Sequence, residues 1–326
     1  MKDQFGRRID YLRISVTDKC NLRCTYCMPV EGLEWVPRAE LLTYEEITEI
    51  VRQMADMGLE RIRLTGGEPL VRTDLPDLAR MLSSVPGIED LALSTNAVLL
   101  PRFAEELRDA GVRRVNISLD TLRRDRFEEI ARRPARFFDA TLEGIEAAEA
   151  VGFDPIKINT VMMRGLNDDE FEAFAAVTRD RPWHVRFIEL MPVGRNLHLT
   201  ERFVPASEML ERVASLGDVE PVEGPPGNGP ARYFRYPDAA GTVGVITPLS
   251  HNYCDRCNRM RLTAEGGLRT CLFGEHEVDL KTPLRETGEI RDAVRRALAG
   301  KPERHYLQLG SDRGSGGLAA LSEVGG

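Results

Sequence analysis

A chain of 326 residues, 42% hydrophobic and 29% charged, has the length of about two domains and an ordinary globular composition. A formal charge of −8 excludes the broadly basic surface of a general nucleic-acid binder, though not a local basic site for one small anion. No run approaches the ~18 apolar residues needed to span a membrane, and the N-terminal MKDQFGRRID has no apolar signal core, so the expected setting is cytoplasmic.

Strand and helix signals alternate through the first two-thirds of the chain. Residues 12–16 read as a strand, and Thr43 opens the clearest helix. Thr43 and Glu46 have capping-box spacing, and Ile47, Ile50, Val51 and Met54 form one apolar stripe. Strands are expected at residues 61–65 and 91–95, then a helix that begins near Pro101 and stops at Gly111. A strand at 112–119, a helix from about Asp139 to Gly152, and strands at 155–163 and 185–190 follow. Six β-then-α units predict an α/β fold with a parallel sheet, either open and doubly wound or curled into a partial barrel.

The character changes after Gly217. Residues 221–230 (PVEGPPGNGP) read as a flexible or turn-rich loop, ahead of short strands at 232–236, 242–247, 259–263 and 268–272. A last helix is expected at 290–299, and the Gly/Ser-rich end reads as mobile. These changes predict a first domain of residues 1–216 and a smaller second one of residues 217–326.

Successive side chains of a strand face opposite sides. Leu12, Ile14 and Val16 therefore oppose Arg13, Ser15 and Thr17, and Ile62 and Leu64 oppose Arg61, Arg63 and Thr65. Likewise Val115, Ile117 and Leu119 oppose Asn116, Ser118 and Asp120, and Ile156, Ile158 and Thr160 oppose Lys157 and Asn159. A closed barrel fills its interior with branched apolar side chains. Here that side carries cations, amides and hydroxyls, which predicts an open or hydrated interior shaped for a polar ligand.

The six cysteines fall into two trios, and without an export signal such clustering favours metal or redox chemistry over disulfides. Cys20, Cys24 and Cys27 follow the first strand. Three thiolates at this spacing can wrap a [4Fe–4S] cube that normally takes four protein ligands, leaving one iron open. An open iron can take the amino and carboxylate groups of S-adenosylmethionine (SAM). The alternative, zinc on three cysteines and a histidine, is weakened by the sequence distance to His184 and His198. Cys254, Cys257 and Cys271 leave iron–sulfur and zinc both open, because His251 lies three residues before Cys254. Arg259 and Arg261, flanking Met260, share one side of a strand and suit an anion near the metal, or a solvated face. Gly66-Gly67-Glu68-Pro69 either leaves backbone amides free for a ligand or makes a simple βα turn. Ser94, Ser118, Asp120 and Met191 fall at or after strand C-terminal ends, where α/β folds build active sites.

CxxxCxxC with Tyr26 before its last cysteine resembles the radical SAM superfamily signature, in which GGEP meets the SAM amino group. YLRISVTDKCNLRCTYC, RLTGGEPLVR, NISLDTL, FIELMPVG and CDRCNRMRLTAEGGLRTCL together resemble the molybdenum cofactor biosynthesis protein A family, the GTP 3′,8-cyclases. The likeness runs from Arg13 to Gly325-Gly326. It implies a partial (β/α)6 barrel whose open side is covered by a C-terminal domain with a second [4Fe–4S] cluster. Residue by residue, it implies that Cys20, Cys24 and Cys27 hold the SAM cluster and that Tyr26, Gly67, Ser118 and Met191 contact SAM. Cys254, Cys257 and Cys271 would hold the auxiliary cluster. Arg13, Arg63, Ser94, Lys157, Arg259, Met260 and Arg261 would bind GTP, with Arg259 and Arg261 serving catalysis.

The implied reaction is a lyase-type cyclisation. A 5′-deoxyadenosyl radical takes hydrogen from ribose C3′, and the carbon radical adds to guanine C8, giving 3′,8-cyclo-7,8-dihydro-GTP for molybdopterin synthesis. An electron donor, a downstream cyclic pyranopterin monophosphate synthase and a homodimer belong to the same implication. Two departures stand out: Ser94 occupies a usual threonine position, and Ala97 replaces a common glycine, which leaves the turn geometry open. The terminal Gly325-Gly326 resembles a family feature that reaches into the active site. Two other functions compete: a peptide-modifying radical SAM enzyme with an auxiliary cluster, and a non-catalytic zinc-binding protein.

Overall fold

The computed structural model describes residues 1–191, 194–227, 229–274 and 276–305, with backbone only at 194–197. Gly325-Gly326 lies outside the described residues. Six βα units come first: β1 (Tyr11–Ser15) and α1 (Tyr44–Asp56), β2 (Arg61–Thr65) and α2 (Leu75–Ser83), β3 (Asp90–Thr95) and α3 (Ala104–Asp109). Then come β4 (Arg114–Ser118) with α4 (Arg124–Ala131) and α5 (Arg136–Ala150), β5 (Ile156–Met162) with α6 (Phe171–Asp180), and β6 (His184–Glu189) with α7 (Ala206–Ser215). The rest of the chain supplies β7 (Glu220–Val222), β8 (Arg232–Arg235), β9 (Thr242–Ile246), β10 (Arg259–Leu262), β11 (Gly267–Arg269), β12 (Glu277–Asp279), α8 (Lys281–Thr287) and α9 (Arg291–Ala299).

All of these strands join one 12-stranded sheet in the order β12-β11-β10-β1-β2-β3-β4-β5-β6-β9-β8-β7. The first six strands run parallel in chain order, and β10 and β9 continue the parallel pairing beyond β1 and β6. The outer strands pair antiparallel. The sheet is a partial barrel that does not close, one of the two arrangements the β-then-α alternation allows and the one the family resemblance implies, with parallel strands from the C-terminal part flanking the first six on both sides.

Helix α1 shows why the sequence folds this way locally. The Thr43 hydroxyl accepts from Glu46 N at 3.1 Å, and the Glu46 carboxylate accepts from Thr43 N at 2.8 Å, a complete capping box. Its stripe of Ile47, Ile50, Val51 and Met54 is fully buried with Leu12, Ile14, Ile62 and Leu64 in one core. Each such side chain contributes roughly 1.5–3 kcal/mol on leaving water. The apolar parity of the strands thus faces the helices, and the polar parity is left for the interior.

Some boundaries differ from expectation. The segment from Pro101 divides into a 3-10 turn, Leu100–Arg102, and the short α3, while α5 begins at Arg136. The proline-rich loop opens with β7, where Pro221 pairs opposite Phe234. Proline is tolerated there because it sits near a sheet edge, where a missing N–H costs little. Strand β11 ends at Arg269, since the Thr270 carbonyl turns to accept from Lys301. Among the described residues no helix is long and apolar enough to cross a membrane.

Candidate active site

A cavity of ≈ 240 Å³ at the sheet's polar face is lined by Cys20, Cys24 and Cys27 together with Arg13, Arg63, Arg186, Arg259 and Arg261. All six cysteines are free of disulfides and partly buried. The first trio is carried by the loop after β1, and the glycine pair after β2 holds that loop in place. Gly67 N donates to Thr17 O and Glu68 N to Lys19 O, each at 2.8 Å. A Cβ on Gly66, whose φ is +143°, would lie 2.3 Å from Thr17 O, and one on Gly67 would lie 2.4 Å from Asp18 O. The expectation that this turn frees its amides for a ligand is therefore corrected at Gly67 and Glu68. Their N–H groups are spent on the cysteine loop, and the glycines are there because two backbones touch.

Glu68 extends the same clamp. Its buried carboxylate accepts from Leu70 N at 3.1 Å, Thr95 Oγ1 at 2.7 Å and Asn96 N at 2.7 Å. Burial pushes this carboxyl up to about 7, against the pull of those three donors. Asn96 then donates to Asn21 Oδ1 at 2.7 Å, so the end of β3 is linked to the residue after Cys20. Tyr26 donates to Asp120 Oδ2 at 2.8 Å, and Asp120 Oδ1 accepts from Val161 N at 2.9 Å.

The thiols fit an iron–sulfur cube in their chemistry. Burial, with Glu68 nearby, pushes Cys20 up to about 12; burial, with Asp120 nearby, pushes Cys24 well above its usual value. Thiols so raised become thiolates when a bound cation supplies the opposing charge.

The arginine part of the lining is set by register. Arg261 on β10, Arg13 on β1 and Arg63 on β2 are direct partners across neighbouring strands. Like charges placed side by side on strands are destabilising. Burial pushes Arg63 down to about 9, with Tyr11 opposing and Arg13, Arg186 and Arg114 adding to it. Its buried Nε has no hydrogen-bond partner among the described residues. Burial, then Arg13 and Arg259, pushes Arg261 well below its ordinary range. Arg186 is aimed by amides, donating to Asn159 at 2.8 Å and Asn116 at 2.7 Å.

The second trio lies just behind that cavity. Tyr253 and Leu272, the neighbours of Cys254 and Cys271, line it, and Leu272 packs in one half-buried cluster with Tyr26, Cys27 and Met191. Burial raises Cys257, but Arg259 and Lys301 outweigh it and bring the thiol down to about 7. His251, the histidine that would complete a zinc site, is exposed.

Two family models divide the chain: the Radical SAM superfamily matches residues 14–177, and Molybdenum Cofactor Synthesis C matches residues 183–307. The GTP 3′,8-cyclase of Pelotomaculum thermopropionicum is 52% identical over 332 aligned positions, covering 100% of both chains. Those of Moorella thermoacetica and Geobacter sulfurreducens are 46% and 48% identical, covering 100% and 94% of both chains. The chain belongs to the GTP 3′,8-cyclase family. It is a radical SAM enzyme, and this family uses SAM with a [4Fe–4S] cluster. Among solved structures, Streptococcus suis SuiB bound to SAM superposes with a TM-score of 0.57 at 14% identity, over 88% of this chain and 68% of that one. The hydrogenase maturase HydG gives 0.51 at 18%, over 65% and 50%. At such identities these two share the fold.

The same cavity is lined by Tyr26, Gly67, Ser94, Ser118 and Met191. Two expected residues stand elsewhere. The Met260 side chain is wholly buried in the helix-side core, because strand parity turns it away from Arg259 and Arg261. Lys157 lies behind the cavity wall, where Nζ donates to Pro226 O at 2.6 Å in the proline-rich loop. Burial, with Arg186, Arg114 and Arg63, pushes Lys157 down to about 6. Arg186 is missing from the expected set although β6 shows the same parity, with Val185 and Phe187 in the core. Ala97 settles the open turn: it adopts φ +64°, and a Cβ on Gly144 of α5 would come 2.8 Å from the Ala97 Cβ. The nearest atom to such a Cβ is the Ala97 carbonyl oxygen at 2.1 Å, so Gly144 answers the close approach of the turn's backbone.

Proposed function

We propose that this enzyme converts GTP to 3′,8-cyclo-7,8-dihydro-GTP, and that it holds a second [4Fe–4S] cluster on Cys254, Cys257 and Cys271. The observation that carries the reading is a single cavity lined both by a three-thiol loop and by a register row of arginines. When bound, the first cluster and SAM would supply a 5′-deoxyadenosyl radical to take hydrogen from C3′; the C3′ radical would then bond to guanine C8, and one electron from the donor with one proton would close the resulting nucleotide radical at N7.

The chain's own residues position the reactants. Arg13, Arg63, Arg186 and Arg261 bind the triphosphate, each charge-assisted contact being shorter and about twice as strong as a neutral one. Arg259, between the cavity and Cys257, orients the base end. Tyr26, fixed by Asp120, and Gly67, Ser118 and Met191 shape the SAM side. Met260 takes part through its backbone, and Lys157 reaches the triphosphate by exchanging its Pro226 partner for a phosphate oxygen. Holding ribose against SAM in this way removes part of the barrier as prepaid orientation. A one-electron donor, a homodimeric assembly, a cytoplasmic setting, a domain boundary near residues 216 and 217 and delivery to cyclic pyranopterin monophosphate synthase complete the proposal.

Anaerobic reconstitution followed by incubation with GTP, SAM and a reductant should yield 5′-deoxyadenosine and a cyclised nucleotide. In Cys24→Ala neither should form. SAM cleavage with no change in GTP would refute the substrate, and cleavage by Cys24→Ala would refute the cluster site.

A further inference from the structure

Lys301 follows α9 and is 2% exposed. Its Nζ donates to the carbonyls of Thr270 and Arg259, the latter at 3.0 Å, and to Cys257 Sγ at 3.6 Å. These contacts place the donor end of one buried lysine on two carbonyls and on the Cys257 sulfur. None of the three is a carboxylate. A lysine so placed would complement negative charge on the sulfur or on a group that the sulfur binds.

The contacts also gather the trio. Thr270 precedes Cys271, and Arg259 lies two residues beyond Cys257, so one ammonium ties the backbone beside two of the cysteines. Arg7 ties the third. Its guanidinium donates to Cys254 O at 2.7 Å, Glu303 O at 2.8 Å and Pro302 O at 2.7 Å, and is itself held by Asp3 at 2.6 Å. Residues 301–303 are thus tied to Cys257 directly, to Cys254 through Arg7, and to the backbone beside Cys271 through Thr270.

We propose that Lys301 is a positioning residue and the counter-ion of the second trio, setting the reduction potential of the cluster there through its N–H···S bond to Cys257. This deepens the reading in which Cys254, Cys257 and Cys271 hold a [4Fe–4S] cluster. A cation hydrogen-bonded to a ligating sulfur draws electron density from the cluster and favours its reduced form, so it raises the potential. Guanidinium in place of ammonium preserves the charge; a neutral amide does not.

The full-length chain with Cys20, Cys24 and Cys27 replaced by Ala leaves only the second trio to take iron. After anaerobic reconstitution, a redox titration followed by electron paramagnetic resonance should show the cluster of Lys301→Gln titrating at a lower potential than its parent, and that of Lys301→Arg returning towards it. Equal iron content and equal potential in Lys301→Gln and parent would overturn the proposal. Loss of iron from Lys301→Gln with an unchanged unfolding midpoint, restored in Lys301→Arg, supports it. A parent that takes up no iron refutes the second cluster itself, a separate failure. Should Lys301→Gln not fold, the unsubstituted protein decides. With [15N]lysine incorporated, the reduced second cluster should show a nitrogen hyperfine coupling, and its absence overturns the assignment.

Discussion

Arg13, Arg63 and Arg261 are one register row of like charges, a costly arrangement that a bound polyanion relieves. Arg261→Ala removes one charge-assisted contact, on the order of 1.5–3 kcal/mol, and leaves its neighbours in place. The expected result is a roughly 10- to 100-fold rise in KM for GTP, with iron content unchanged. Steady-state kinetics that match the parent would remove Arg261 from the site. Glu68 carries the second residue-scale prediction. Its carboxyl stands at about 7 in the fold against 4.5 in the open chain, so the folded state binds the extra proton between those values. Stability of the ligand-free protein therefore falls as pH rises from about 4.5 to 7, by up to roughly 3 kcal/mol from this group. Asp120, raised to about 6 by burial, adds a slope of the same sign. Urea unfolding at several pH values should show Glu68→Gln lacking Glu68's share of the fall; a parallel pair of curves would contradict it.

Loops and turns decide how the site is assembled. The β2 turn and the cysteine loop touch through backbone, so Gly67→Ala forces Asp18 and Lys19 to move. Displacement of this kind costs typically 1–3 kcal/mol, and here it shifts the segment that presents Cys20. The variant should unfold at lower denaturant and take up less iron on the first trio than the parent, by colorimetric iron and sulfide analysis. GGEP was visible in the sequence as a motif, but its physical job was not, because the Thr17 and Lys19 carbonyls it meets lie some 50 residues away. The Ala97–Gly144 match was equally hidden. Gly144 is needed because the Ala97 carbonyl lies against α5, and no local pattern reports that approach. Strands β7 and β12, three residues each, were too short for alternation to show.

Both free edges of the βα sheet are covered by the C-terminal part, β10 against β1 and β9 against β6. A fragment of residues 1–216 would leave two long parallel edges unpaired, with their N–H and C=O groups open to other chains. That fragment should be aggregated or insoluble where the full chain gives a single species on size-exclusion chromatography. A monodisperse, cooperatively unfolding fragment would show that the edges do not need those strands. The same pairing places Arg259 and Arg261 beside Arg13, so the cationic wall and the sheet edge depend on one interface.

The sequence by itself determined the α/β class, the apolar and polar faces of the strands, and the two cysteine trios. Those features depend on period and spacing along the chain. Parity placed Arg13 and Arg63 inside and could have placed Arg186 by the same rule; it also argues that Met260 faces the core. Only the tertiary structure decided which strands are neighbours, and hence that Arg261 stands beside Arg13 about 250 positions earlier. It alone showed Lys157 held by Pro226 and Lys301 held by Cys257. Those are contacts between segments far apart in sequence, and no periodicity encodes the partner of a side chain that reaches across a fold.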